Sequence, residues 1–133
     1  MPEKLPEKAR ELIEGANFAH ISTLGKSGRP QINPVWIHPE NGHLVVNSAE
    51  GRAWPENVRR DPRVTLSVAN QENPYEYVTV WGRVVDEDHE SADENIDFLA
   101  KKYLGEDEYP FRRPGEKRVL FRIEPEKVRV HSG

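Results

Sequence analysis

The chain has 133 residues, enough for one domain with a real core and too few for a second. It is 35% hydrophobic and 32% charged with a formal net charge of -4, which describes a globular protein and argues against nucleic acid as the main partner, so any basic site is local. It has no cysteine, which excludes disulfides, thiolate catalysis and cysteine-ligated zinc; no window approaches the roughly eighteen apolar residues of a membrane span or the apolar stretch of a signal peptide, so a cytoplasmic location without a membrane partner is expected.

Pro6 opens a helical pattern with Ala9, Leu12 and Ile13 on one face, and Gly15 is expected to end it in a left-handed conformation. FAHISTL (18–24) and PQINPVWIH (30–38) are β-type runs joined by a turn at 25–28, and Pro39-Glu40-Asn41-Gly42 turns the chain into HLVVNS (43–48). A three-strand meander is expected there. A Gly51-Arg52 step and a short helical turn at Pro55 follow.

From Arg63 to Val68, polar and apolar residues alternate with a clean period of two. EYVTVWGRVVD (76–86) repeats the alternation, with Val78, Val80, Gly82 and Val84 opposed by Tyr77, Thr79, Trp81 and Arg83. Ser91 and Glu94 form a capping box for a helix of about three turns whose apolar face is Ile96, Leu99, Ala100 and Tyr103, ending at Gly105. Residues 106–117 read as a polar, proline-rich loop, and RVLFRIEP and KVRVH as two more alternating runs. Six mostly antiparallel strands with few helices, no βαβ rhythm and no linker predict a single mainly-β domain over residues 1–133, a closed or nearly closed barrel with a sandwich as the alternative.

Most candidate sites fall away on spacing. Gly25-Lys26-Ser27 is not a phosphate loop, because the first glycine of that motif would fall on His20. His20, His38, His43, His89 and His131 show no metal-ligand spacing, so no metal is expected. The acidic run Asp86, Glu87, Asp88 and Glu90 reads as helix capping and solvation. No nucleophile elbow is present, which leaves hydrolysis without a foothold. What survives is Asn47, Ser48, Gly51, Arg52 and Asn57: a strand end, a glycine turn and a helix start, rich in donors and carrying a forked guanidinium, which together suit a phosphate. The alternative is a strand end and a surface helix whose Arg52, Arg59, Arg60 and Arg63 are solvated or paired with surface carboxylates.

Taken in order, ISTLGKSGRPQINPVWIHPENGHLVVNS, GRAWPENVRRDPRVTLSV, NPYEYVTVWGRVVD, NIDFLAKKYLG and VLFRIEPEKVRV resemble the pyridoxamine 5'-phosphate oxidase-like split β-barrel superfamily, and most closely its small F420-dependent branch. The resemblance implies a homodimer of six-stranded, FMN-binding-like split barrels with cofactor sites in the subunit interface. It implies that Asn33, Pro34, Val35 and Trp36 line the tricyclic ring. Val46, Asn47, Ser48, Gly51 and Arg52 match the phosphate-binding part, and Asn57 matches a residue that pins the short helix. Many relatives carry a lysine two residues after the arginine, where this chain has Trp54, a flat ring that stacks but does not neutralise phosphate; restoring the pair by Trp54→Lys is expected to strengthen FMN binding if Trp54 is not needed for packing. Arginine is common in relatives at the position of Trp81. The function implied is an F420-dependent oxidoreductase passing hydride between the deazaflavin and an unsaturated small-molecule substrate, the longer anionic tail of F420 reaching Arg59, Arg60 or Arg63. The alternatives are an FMN-dependent oxidase or reductase, and a binding protein that holds a flavin-like or tetrapyrrole ligand without turnover.

Overall fold

A computed structural model describes residues 4–132. The first helix, α1 (Glu7–Glu14), buries Ala9, Leu12 and Ile13 as the spacing predicts. Gly15 does not end it in the left-handed region: its φ is -67° and its ψ 165°, and the helix is closed instead by the Asn17 side-chain amide, which donates to the Leu12 carbonyl at 2.9 Å.

Seven strands follow rather than six. β1 (Ala19–Leu24) pairs antiparallel with β2 (Pro30–Val35), and β3 (Ile37–Glu40) pairs antiparallel with β4 (His43–Ala49). The 30–38 run is therefore not the middle strand of a meander, because it breaks at Trp36. With β5 (Arg63–Asn70), β6 (Asn73–Asp88) and β7 (Arg118–His131), the order across the sheet is β2-β1-β5-β6-β7-β4-β3. Its two ends, β2 and β3, are joined through the single residue Trp36, so the sheet must curl until its edges meet. All the pairings are antiparallel, and the result is the mainly-β barrel expected from the strand pattern.

The final two runs of the sequence are one strand. β7 continues through Pro125, opposite Gly82, and the register shifts there so that Glu126 is extra. Gly82 is needed at that crossing, since a Cβ on it would lie 2.5 Å from the Glu124 carbonyl oxygen. The barrel interior is filled from alternate positions: Ile21 from β1, Leu44 and Val46 from β4, Leu66 and Val68 from β5, Val80 from β6, Phe121 and Ile123 from β7.

Two further helices lie outside the sheet. The eight-residue α2 (Ala53–Arg60) buries Trp54, Pro55, Asn57 and Val58. The thirteen-residue α3 (Ala92–Leu104) ends at Gly105 as expected, and the φ of that glycine, 74°, is left-handed. Ser91 makes no capping-box bond; its own backbone is helical, and its N–H donates to the Asp88 carboxylate at 2.9 Å. The acidic run before this helix is thus partly a cap and partly a set of ion pairs, with Arg122 reaching both Asp86 and Asp88. At its far end Lys102 ties the helix to the barrel, donating to the Ile13 carbonyl at 2.8 Å and the Ile37 carbonyl at 2.6 Å. No helix among the described residues is long and apolar enough to cross a membrane.

Candidate functional site

Along β2, Gln31, Asn33 and Val35 face inward opposite Thr23, Ile21 and Ala19 of β1, while Pro30 and Ile32 face out and the exposed Pro34 borders a cleft. The inward polar pair sits at a barrel mouth that opens into this cleft, of about 500 Å³. Its walls are Phe18, Trp36, Tyr109 and Phe111 on the aromatic side, Gln31, Asn33 and Asn47 on the polar side, and Arg52 with Ala53 and Trp54 at the start of α2. Arg118 and Ile96 complete it, and no aspartate or glutamate is among the lining residues.

The Arg52 end forms as the sequence predicts. Gly51 has a φ of 94°, a left-handed turn that glycine adopts without strain and that swings the chain from β4 into α2. Arg52 is the N-cap residue, no side chain caps the first turn, and among the described residues its guanidinium makes no hydrogen bond or ion pair. Pro55 carries no N–H, so the turn offers only the Ala53 and Trp54 backbone N–H groups, and these with the Arg52 guanidinium form a small donor set suited to an anion.

Asn57 pins α2 through its side chain: its amide donates to Thr23 Oγ1 at 3.0 Å and to Gln31 Oε1 at 3.1 Å, and its oxygen accepts from Arg60 at 2.8 Å. Gln31 in turn donates to Asn33 Oδ1 at 3.0 Å, which leaves the Asn33 amide hydrogens for a ligand. Trp36 lies parallel to Tyr103, ring centroids 5.2 Å apart, and meets Tyr109 edge-on at 5.9 Å. The Tyr103 hydroxyl is anchored to the Asn17 carbonyl at 2.7 Å, so this wall is braced from behind.

Not all the sequence-predicted residues converge. Asn33, Pro34, Val35, Trp36, Asn47, Arg52 and Trp54 line the cleft. Val46 and Ser48 point into the barrel, the Ser48 hydroxyl being buried with no hydrogen-bond partner among the described residues, and Gly51 and Asn57 act from behind. Trp54 is only 4% exposed and packs on Phe121 at 5.3 Å, so it is a core residue that shows one edge to the cleft, and an ammonium at this position would lose the core packing. Trp81 is elsewhere: it lies in a separate groove on the outer face, with Pro30, Leu24 and Thr65, and Lys127 sits over its ring at 5.2 Å.

The three arginines expected to receive an anionic tail are already engaged. Arg59 is held by Glu50, Glu56 and Glu87, Arg63 by Asp61, and Arg60 by the Asn57 side chain. Glu50, Glu87 and His89 bring three ligand-type groups together, yet the cation among them is the Arg59 guanidinium, which bonds both carboxylates.

Arg118 escaped the sequence reading. It is 4% exposed; its Nε donates to Asn47 Oδ1 at 3.0 Å, its Nη1 to Glu116 Oε1 at 3.1 Å, and its guanidinium lies 4.9 Å from the centre of the Tyr109 ring. Asn47 is thereby a bracket, its amide donating to the Ala92 carbonyl at 2.9 Å and to Asn95 Oδ1 at 2.8 Å while its oxygen holds Arg118. The missed signal was the pair of aromatics around Pro110 in an otherwise polar loop.

Residues 5–132 match the family model for pyridoxamine 5'-phosphate oxidase. The chain belongs to the pyridoxamine 5'-phosphate oxidase family. Among solved structures it is similar to an F420 reductase, with 26% identity over 94% of this chain and 98% of that one and a TM-score of 0.82. It shares its fold with a conserved hypothetical protein from Mycobacterium tuberculosis, 18% identical over 98% of this chain and 86% of that one with a TM-score of 0.74. The same is true of the General Stress Protein 26 from Bacillus anthracis, 20% identical over 94% of this chain and 92% of that one with a TM-score of 0.70. Within this family the split barrel is the scaffold of a flavin-related oxidoreductase fold, and the cleft at its mouth is lined by aromatic side chains, Arg52 and Arg118.

Proposed function

We propose that this protein is an oxidoreductase that holds the deazaflavin F420 in the cleft and passes hydride between its ring and an unsaturated organic substrate. The observation that carries the proposal is the lining itself: flat aromatic walls and two guanidinium groups with no carboxylate, in a chain whose net charge is -4. The similarity to an F420 reductase at 26% identity over nearly the whole of both chains supports the deazaflavin over other rings.

The residues present fit such a group. The unpartnered Arg52 guanidinium and the uncapped first turn of α2 suit its phosphate, and Asn33, Pro34, Val35 and Trp36 offer one polar and three apolar contacts to the ring. A bound deazaflavin supplies the carbon that accepts or releases hydride. The chain binds, orients and excludes water, with Tyr103 bracing Trp36 and Asn57 fixing α2 at the phosphate end. No carboxyl, imidazole or amine is among the lining side chains, which leaves solvent or the Tyr109 hydroxyl as the source of a proton for the substrate.

We also propose that the protein works as a homodimer. Across the outer face of the sheet, Ile32, Ser22, Thr65, Trp81 and Lys127 form one cross-strand row, and Ile32 and Trp81 are exposed in it beside Leu24 and Pro30. An apolar stretch of this kind calls for a partner, and Trp81, outside its own chain's cleft, serves a cofactor only if it is the second copy's. Light scattering giving a dimer mass at micromolar protein is the expected result; a monomer mass removes the dimer and Trp81 with it.

The FMN reading is favoured by the family's own description and is separable by oxygen: a reduced flavin consumes it, whereas a reduced deazaflavin, with carbon in place of the ring N5, does not react readily. Absorbance and fluorescence of the purified protein, as isolated and during titration with F420 and with FMN, test the proposal. Saturable F420 binding followed by oxygen-independent hydride transfer is expected. Binding of FMN alone with oxygen consumption replaces F420 by FMN, and binding without turnover leaves a carrier.

A further inference from the structure

We propose that Glu116, acting through Arg118, sets the charge of the phosphate that the cleft accepts, so that the cleft is matched to a phosphodiester monoanion rather than a phosphomonoester dianion. This rests on the cofactor reading above and concerns the same cleft.

The two cleft arginines meet at one residue. Arg118 is the cross-strand partner of Ala49, and the Arg52 N–H donates to the Ala49 carbonyl at 3.4 Å. Both guanidinium groups line the cleft, yet they differ in what already holds them. Arg52 has no ion pair among the described residues. Arg118 is bound to Asn47 through Nε and to Glu116 through Nη1; its Nη2 makes no hydrogen bond among the described residues and is not sealed off, and Arg118 is one of the cleft-lining residues.

Glu116 is itself shielded, with a side chain 9% exposed, and its negative charge offsets that of Arg118. Arg118 therefore offers a directed hydrogen-bond donor without adding net charge. Arg52 is left as the single uncompensated positive charge at this end. A phosphomonoester carries about -1.5 to -2 at pH 7, and its excess over one guanidinium is unbalanced in a cleft walled by aromatic rings; a diester carries a single negative charge and is matched. F420 links its ring-bearing chain to its tail through a phosphodiester, whereas FMN ends in a monoester. Glu116 touches no ligand in this arrangement and is a positioning residue.

Glu116→Gln tests this, because the amide keeps the size and the hydrogen bond to Arg118 while removing the charge. In calorimetric titrations at about pH 8, well above the second phosphate pKa of about 6, FMN affinity is expected to rise roughly tenfold, riboflavin affinity to stay constant, and the preference for F420 over FMN to shrink. FMN and riboflavin changing by the same factor, or neither changing, overturns the proposal. A measurement on the wild-type chain guards against a variant that does not fold. As the pH falls from about 7.5 to about 5.5, FMN gains a proton on its phosphate and its affinity should rise relative to riboflavin; a falling or flat ratio is the contrary result. Should the wild-type chain bind neither ring, the oxidoreductase reading fails, and phosphorus NMR with phenyl phosphate against methyl phenyl phosphate decides this one. Preferential broadening of the diester upholds the match, and its absence overturns it.

Discussion

Arg52 and Arg59 flank the same short helix and meet opposite surroundings. Arg52, at the N-terminal end, lines the cleft and has no partner, whereas Arg59, in the last turn, is gripped by Glu50, Glu56 and Glu87 and lies 5.7 Å over the Phe121 ring. The sequence presents both as arginines in a polar stretch. What separates them is which strand ends arrive beside each: β4 delivers Glu50 and β6 delivers Glu87 to the far side of α2, while on the cleft side the nearby carboxylate, Glu116, is spent on Arg118 and none reaches Arg52 among the described residues. A cation is available to a ligand only where the fold has kept carboxylates away from it, which local charge counting does not reveal.

The largest effect in this region is expected from Trp54→Lys. Trp54 is core to α2 and packs on Phe121, so the exchange loses ring packing and forces an ammonium to find water, for about 4 kcal/mol of stability. Urea unfolding followed by circular dichroism reads the loss. A variant as stable as the parent would mean that Trp54 belongs to the cleft and not to the core, and would return it to the role of a replaced phosphate contact.

Arg59→Met sharpens the contrast from the other end. It leaves three carboxylates facing one another at the surface and is expected to lower stability by about 1–2 kcal/mol while leaving cofactor affinity unchanged. Weakened cofactor binding in this variant would show that the C-terminal end of α2 also carries ligand.

A smaller effect follows from Glu50, whose carboxyl is held down from 4.5 to about 2 by hydrogen bonds from Arg59 first and His89 second. The folded state favours the ionised form, so this contribution is complete above about pH 4.5 and is lost as the pH falls through about 2. Thermal melts across that window should decline, and Glu50→Gln should decline less steeply; parallel curves would detach Glu50 from acid stability.

Much of this was legible because the relevant forces are local. The period of two from Arg63 to Val68 gives β5, and the apolar face of α3 and its end at Gly105 emerge at the expected places. The break at Trp36 was not legible, since IHPE is as strand-like as the INPV before it and only closure of the barrel requires the chain to change edges. The Gly15 and Ser91 caps were misread because Asn17 and Asp88 do that work from neighbouring positions. Arg118 was hidden for another reason: its partner Asn47 is 71 residues away, and an arginine before VLF reads as a strand start. Trp81 followed family position rather than geometry, and within one chain that position lies on the outer face.

If Arg52 holds the phosphate of a bound ring cofactor, paired titrations of wild-type and Arg52→Ala protein with FMN and riboflavin will show it. Loss of a charge-assisted hydrogen bond predicts a cost of about 1.5 to 3 kcal/mol, roughly ten- to hundredfold in FMN affinity, with riboflavin binding and the melting temperature unchanged. Equal FMN affinity in wild-type and Arg52→Ala protein of the same stability would contradict it and leave Arg52 a solvated surface residue.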